Sequence, residues 1–253
     1  MSKGTPVLSS FQRTLAMLEA IIADGGERSV SAIARAIGMP IATAHRQVAT
    51  LVAENYLTPA GNGRHIAGTR LLGLLHRLDE KQVIANVAAP VLHDLASQVR
   101  SVVQLGTFEN DMVTYRIKTG RGASGLFTKV GMQLEAYCSG IGKALLAHLP
   151  EDQLHTYLAN GPFVPLTGNT ITDPAALAEE LERVRQTGMA VDNGEITESL
   201  YCIAAPIRMA DGRVPAAISI SRTMAQIDPA YEAEVQKLLL SAARTIERQM
   251  PVV

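Results

Sequence analysis

The sequence predicts an α+β protein made of a small helical part and a larger mixed part. Three short helical periodicities followed by a Gly-rich turn fill the first seventy residues. Alternating strand-like segments, joined as hairpins and interspersed with helices, fill the rest. At 253 residues and 47% apolar content the chain can bury a sizeable core. The net charge of -1 conceals a small asymmetry, since Met1 to Arg70 carries seven Lys/Arg against four Asp/Glu.

Ser9 with Gln12 reads as a capping box, and Phe11, Leu15, Leu18 and Ile22 recur at helical spacing before Asp24-Gly25-Gly26. Ser29 caps a second, two-turn helix whose inward stripe is Val30, Ile33, Ala34 and Ile37, stopped by Gly38-Met39-Pro40. A third helix runs from about Ile41 to Asn55, with Ala44, Val48, Leu51 and Val52 inward and Ala42, Thr43, Arg46, Gln47 and Thr50 toward solvent. A short helix, a tight glycine turn and a second helix make a helix-turn-helix. Tyr56-Leu57-Thr58 and Arg64-His65-Ile66, flanking Gly61-Asn62-Gly63, add a hairpin that serves as a wing. In such a domain the start of the third helix enters the major groove, so Thr43, His45, Arg46, Gln47 and Thr50 are the candidate DNA contacts, with Arg64 on the wing. Read singly, each is equally a solvated polar residue.

Downstream, Thr69 to Leu78 continues as an apolar helix carrying Leu71, Leu72, Leu75 and Leu78, and a further helix spans Val83 to Val99. Val102 to Phe108 and Met112 to Lys118 read as a hairpin across Glu109-Asn110-Asp111. Helices are expected over Gly140 to Leu149, Glu151 to Ala159 and Asp173 to Gly188. A second hairpin joins Tyr201 to Met209 with Val214 to Ser221, and Asp228-Pro229 starts a closing helix that reaches about Gln249. The sheet is expected to be antiparallel. Domain boundaries follow as 1–68 for the winged helix-turn-helix, 69–82 for a linker helix and 83–253 for the larger domain.

Two cysteines, Cys138 and Cys202, no secretory leader and no twenty-residue apolar run lead us to expect a cytoplasmic protein without a membrane partner. The six histidines show no metal-ligand spacing, and no metal or cofactor is expected. Gly140-Ile141-Gly142-Lys143-Ala144 fails as a phosphate loop, which needs Ser or Thr after the Lys. Ser139 and Lys143 are four apart where a Ser-x-x-Lys nucleophile needs three. An enzyme is therefore not expected, and Lys143 is read as a surface or salt-bridge residue.

The ordered set Ser29 to Ala34, Gly38-Met39-Pro40, Thr43-Ala44-His45-Arg46, Gly140 to Ala147, Thr170-Ile171-Thr172, Cys202 to Pro206 and Ala217 to Ser221 resembles the isocitrate lyase regulator (IclR) family of bacterial transcription factors from about Val7 onward. The resemblance implies a GAF/PAS-like effector-binding domain and a regulator of a catabolic operon. It implies partners too: palindromic or repeated operator DNA, a small carboxylate-containing or aromatic effector, and a homodimer or dimer of dimers. Matched motif by motif, the effector contacts are Gly140, Ile141, Asp192, Cys202, Ser219 and Ser221. Leu126, Phe127, Leu200 and Ile203 are candidate apolar walls. Each residue has a plainer reading: Cys202 as a small core filler, Ser219 and Ser221 as the wet side of an edge strand, Asp192 as a turn residue. The chain departs from the family at Tyr137, Cys138 and Tyr201, where relatives have His, a small residue and Arg. Ile41-Ala42 also replaces a more polar helix start.

Overall fold

A computed structural model describes residues 7–226 and 229–250. The chain forms two compact units, one ending at Asp79 and one beginning at Glu80. In the first, α1 (Ser9–Asp24), α2 (Val30–Ala36) and α3 (Ile41–Ala53) precede a two-stranded ribbon, β1 (Leu57–Pro59) and β2 (His65–Ala67), and a short α4 (Thr69–Leu75). Ser29 caps α2 as expected, its hydroxyl accepting from the Ala32 N–H at 3.3 Å. The wing is tied to that cap by the Val30 N–H donating to the Gly63 carbonyl at 2.9 Å.

Three expectations for this unit need correction. Leu8 occupies the N-cap of α1 and no side chain caps it, so Ser9 is its first helical residue and the capping box does not form. The stripe of Phe11, Leu15 and Ile22 is 62%, 42% and 41% exposed, while Met17 and Ile21 enter the core instead. An α-helix has apolar residues on more than one meridian here, and the one facing α3 wins. Ile37 is also outward, because α2 ends at Ala36 and Ile37 lies in the exit turn. The core consists of Met17, Ile21, Val30, Ile33, Ala34, Met39, Ala44, Val48, Leu51 and Leu57. In α4, Leu72 and Leu75 are exposed, as is Leu78 beyond it.

The second unit is a six-stranded antiparallel sheet in the order β5-β4-β3-β8-β7-β6, built from β3 (Val102–Glu109), β4 (Met112–Thr119), β5 (Gln133–Glu135), β6 (Ala190–Asn193), β7 (Leu200–Ile207) and β8 (Ala216–Thr223). The two expected hairpins are present; Asn110 and Asp111, both at positive φ, make the tight turn of the first. Sequence reading missed β5 and β6, which are three and four residues long. One face is covered by α5 (Glu80–Val99) and α9 (Pro229–Glu247), over Val103, Leu105, Ile203, Ile218 and Ile220. Asp228, the expected cap of α9, lies outside the described residues. The other face carries α6 (Gly140–Leu146), α7 (Glu151–Leu158) and α8 (Pro174–Thr187).

Residue size on the two faces differs because strand side chains alternate. Where Ile218 and Ile220 fill the α5/α9 side, Ala217, Ser219 and Ser221 occupy the other, beside Cys202 and Ala204 of β7. These small residues let α6 lie almost on the sheet. A Cβ at Gly142 would stand 2.1 Å from the Ala136 carbonyl oxygen and 2.4 Å from its Cα, so that position admits no side chain. Gly142→Ala should lower the unfolding free energy by roughly 3 kcal/mol or more, measured by urea denaturation, because the clash is with backbone that cannot rotate away. An unchanged midpoint would contradict the close packing of α6.

Candidate effector site and DNA-facing surface

The register across the sheet brings the motif residues together. Asp192 pairs with Cys202, Cys202 with Ser221, and Gln104 with Ser219, so all five side chains stand on the α6 face in neighbouring strands. With Gly140 and Ile141 of α6, Ser139 before it, and Leu126, Phe127 and Leu200, they surround a narrow cavity of about 10 Å³, the room one water needs. Asp192, Cys202, Ser219 and Ser221 are 1%, 7%, 3% and 4% exposed. β8 lies between β3 and β7, so Ser219 and Ser221 are central-strand residues and not the wet side of an edge. Ile203 faces α5 and α9 instead of the cavity, which removes it from the expected apolar wall.

Gln104, Tyr115, Thr128 and Ile196 also line the cavity and were missed in the sequence. Gln104 had a readable signal: an amide in the otherwise apolar run Val102-Val103-Gln104-Leu105, only 2% exposed. A hydrogen-bonded chain runs through it. The Cys202 thiol donates to Ser221 Oγ at 3.1 Å, Ser221 donates to Gln104 Oε1 at 3.2 Å, and Gln104 Nε2 donates to Thr128 Oγ1 at 2.8 Å.

Tyr137 lies behind this site, stacked on Phe163 at 4.7 Å and donating to the Val164 carbonyl, and Cys138 packs in the same cluster. Tyr137 and Cys138 therefore pack in the cluster around α6 and do not line the cavity. Ser139 is the N-cap of α6, its hydroxyl accepting from Gly142 N–H at 3.0 Å. Lys143, read as a surface or salt-bridge residue, is buried to 1% exposure and bonds Glu195 and, at 3.3 Å, Glu180.

Glu195 in turn donates its backbone N–H to Asp192 Oδ1 at 2.7 Å, which holds the carboxyl against the cavity; Asp192 Oδ2 has no hydrogen-bond partner among the described residues. Burial pushes the Asp192 carboxyl up to about 6 and that of Glu195 up to about 7, the latter despite Lys143 beside it. Burial likewise raises the Cys202 thiol, so it is protonated and able to donate to Ser221.

Both carboxyls hold protons more tightly in the folded chain than in the unfolded one. Their contribution to stability is complete below about pH 4 and lost as pH rises through about 6 and 7. Between pH 5 and pH 8 the unfolding free energy should fall by about 1 kcal/mol less in Asp192→Asn than in the parent chain, read from paired urea titrations. Identical slopes would mean that Asp192 titrates as an ordinary surface acid.

In the first unit, His45, Arg46 and Thr50 are exposed on α3, together with Ala42 and Ala49. His45 Nε2 is 3.1 Å from Ser31 Oγ on α2, and Thr50 donates to the Arg46 carbonyl at 3.2 Å. Thr43 and Gln47 lie on the flank and are half-buried; Gln47 was expected toward solvent, but its amide points at the Ser10 carbonyl, 3.4 Å away. Arg64 on the wing is half-buried too. The surface thus presents His45 and Arg46 most openly, with an apolar start at Ile41 and Ala42.

Among the described residues no helix is long and apolar enough to cross a membrane, and no group of His, Cys, Asp or Glu is arranged to hold a metal ion. The IclR helix-turn-helix domain matches residues 10–61, and the domain described as bacterial transcriptional regulator IclR C-terminal matches residues 76–248. The chain is 31% identical over 229 residues to the uncharacterized HTH-type transcriptional regulator RhmR of Escherichia coli (strain K12), covering 90% of this chain and 88% of that one. Thermotoga maritima IclR has a similar crystal structure, with TM-score 0.63 and 28% identity over 95% of this chain and 98% of that one. So has an IclR homolog from Microbacterium hydrocarbonoxydans complexed with 4-hydroxybenzoate, with TM-score 0.62 and 28% identity over 95% of this chain and 98% of that one. These relatives are regulators and not enzymes. Both family domains follow one another along nearly the whole length, and the chain belongs to the IclR family of bacterial transcriptional regulators.

Proposed function

We propose that this regulator controls a catabolic operon in response to a small hydroxylated organic acid or aromatic acid bound in the cavity between α6 and the sheet. The observation that carries the reading is the convergence of Gln104, Asp192, Cys202, Ser219 and Ser221 on one enclosed point, walled by Leu126, Phe127, Ile141 and Leu200. Cys202, Ser221 and Gln104 are satisfied by one another and by Thr128, but a buried acceptor left without a donor is costly, and Asp192 Oδ2 is one that a ligand would satisfy. Asp192, with Oδ2 unpartnered and its pKa near 6, suits a ligand hydroxyl: ionised it accepts, protonated it donates. The ligand of the Microbacterium hydrocarbonoxydans homolog, 4-hydroxybenzoate, carries both groups.

The first unit is the DNA reader. Arg46 and His45 approach base edges or phosphates from the start of α3, Thr43, Gln47 and Thr50 line its flanks, and Arg64 contacts the backbone from the wing. The exposed Phe11-Leu15-Ile22 stripe on α1 provides an apolar surface for pairing two DNA units, which would assemble as a dimer or dimer of dimers on a palindromic or repeated operator. Effector binding changes operator affinity by the difference in effector affinity between the free and DNA-bound arrangements, typically several-fold to about a hundredfold.

Footprinting on the DNA upstream of the chain's own gene should show protection in repeated half-sites. Arg46→Ala should weaken that binding about tenfold or more and shift its salt dependence, with the melting temperature unchanged. Protection that survives Arg46→Ala at equal affinity would move the reading surface away from α3.

A further inference from the structure

A cavity of about 10 Å³ accepts no organic effector, yet a cleft of about 460 Å³ adjoins it and shares Leu126, Leu200 and Ser221 with it. Leu126, Leu200 and Ser221 stand between them, and Leu126 belongs to the segment 120–131, which has no helix or strand, lies between β4 and β5 and contributes Phe127 and Thr128 to the cavity and Arg121, Gly122 and Gly125 to the cleft. Its ends are Gly120 and Gly131, both in the left-handed region at φ 102° and 82°. Of its large apolar side chains Phe127 and Val130 are 43% and 63% exposed and only Leu126 is half-buried, so apolar burial holds the segment down weakly.

Polar contacts fasten it instead. Lys118 Nζ donates to the Leu126 carbonyl at 2.7 Å and also to the Thr128 carbonyl, and Thr128 Oγ1 accepts from Gln104 at 2.8 Å. Gln104 is the same amide that accepts from Ser221, which accepts from Cys202. The closed segment is therefore hydrogen-bonded to the groups proposed to meet the effector.

We propose that segment 120–131 is a lid latched by Lys118 and by the Gln104–Thr128 bond, and that its opening joins cavity and cleft into one site entered past Arg100 and Arg121. Both arginines are exposed in the cleft, whereas among the described residues no Lys or Arg lines the cavity, so an anionic ligand is drawn in by the cleft and keeps its charged end there. A ligand group that takes over Gln104 or Ser221 competes with the latch, which couples occupancy of the cavity to the state of the lid. This deepens the effector reading and rests on it for the ligand, but the lid itself is testable without any effector.

Cys202 reports on opening because it lines the cavity and is 7% exposed, while Cys138, at 0%, lies outside the lining and reports on unfolding. The intact chain would be treated at fixed pH with an anionic and a cationic methanethiosulfonate, each forming a mixed disulfide at a thiolate and releasing sulfinate. Peptide mass spectrometry would then give the rate at each cysteine. Thr128→Val and Lys118→Met should each speed labelling of Cys202 about tenfold, the factor expected for losing a latch hydrogen bond, and leave Cys138 unchanged. In the parent chain the anionic reagent should outpace the cationic one, and Arg100→Ala/Arg121→Ala should erase that preference. Unchanged rates at Cys202, or equal acceleration at both cysteines, would overturn the lid; a preference that survives the arginine substitutions would overturn the route. Failure of the effector reading would instead appear as a normal lid response with no small molecule altering DNA binding.

Discussion

The buried ammonium of Lys143 is the constraint on which the effector unit is built. It sits on α6 at 1% exposure and joins Glu195, in the turn after β6, to Glu180 on α8. Taking such charges out of water is costly, and the cost is offset only if geometry and hydrogen bonding are good. Here the turn that carries Glu195 also presents its backbone N–H to Asp192, so one lysine sets the distance from α6 to the sheet edge and the direction of the acid that faces the cavity. Gly140, where a Cβ would stand 3.4 Å from the Ala204 Cβ, and Ser and Cys where the opposite face has Ile, are what allow α6 to come that near.

Much of the fold was legible because local chemistry and burial agree. Ser29 caps the helix it precedes, Asn110-Asp111 turns the hairpin, and Ala44, Val48 and Leu51 are the inward face of α3. The failures share a cause: burial is decided by neighbours distant in sequence. Phe11, Leu15 and Ile22 are as apolar as Met17 and Ile21, and only the position of α2 and α3 selects the second pair. Strands of three and four residues, β5 and β6, are too short to show a period and exist because longer strands supply their partners.

The site was legible in its motif residues and illegible in its connections. Asp192, Cys202, Ser219 and Ser221 were named one by one, but their meeting at one point depends on the β6-β7-β8 register. Lys143 read as a surface or salt-bridge side chain because its two carboxylates are 37 and 52 residues away. Gln104 and Thr128, 24 residues apart, carry no local pattern that joins them. Long-range electrostatics and hydrogen bonds are thus what structure adds, and here they are the parts that bear on ligand choice.

The coupling proposed above is that a molecule held by these buried groups alters how the first unit binds DNA. Its most direct test is fluorescence anisotropy of the upstream DNA titrated with the intact chain, with and without 4-hydroxybenzoate and the carboxylate substrates of enzymes encoded next to the gene. At least one of these compounds should change the apparent Kd several-fold in the parent chain and leave it unchanged in Ser219→Ala/Asp192→Asn, whose affinity without the compound should match the parent. The same shift in parent and variant would place the effector outside this cavity.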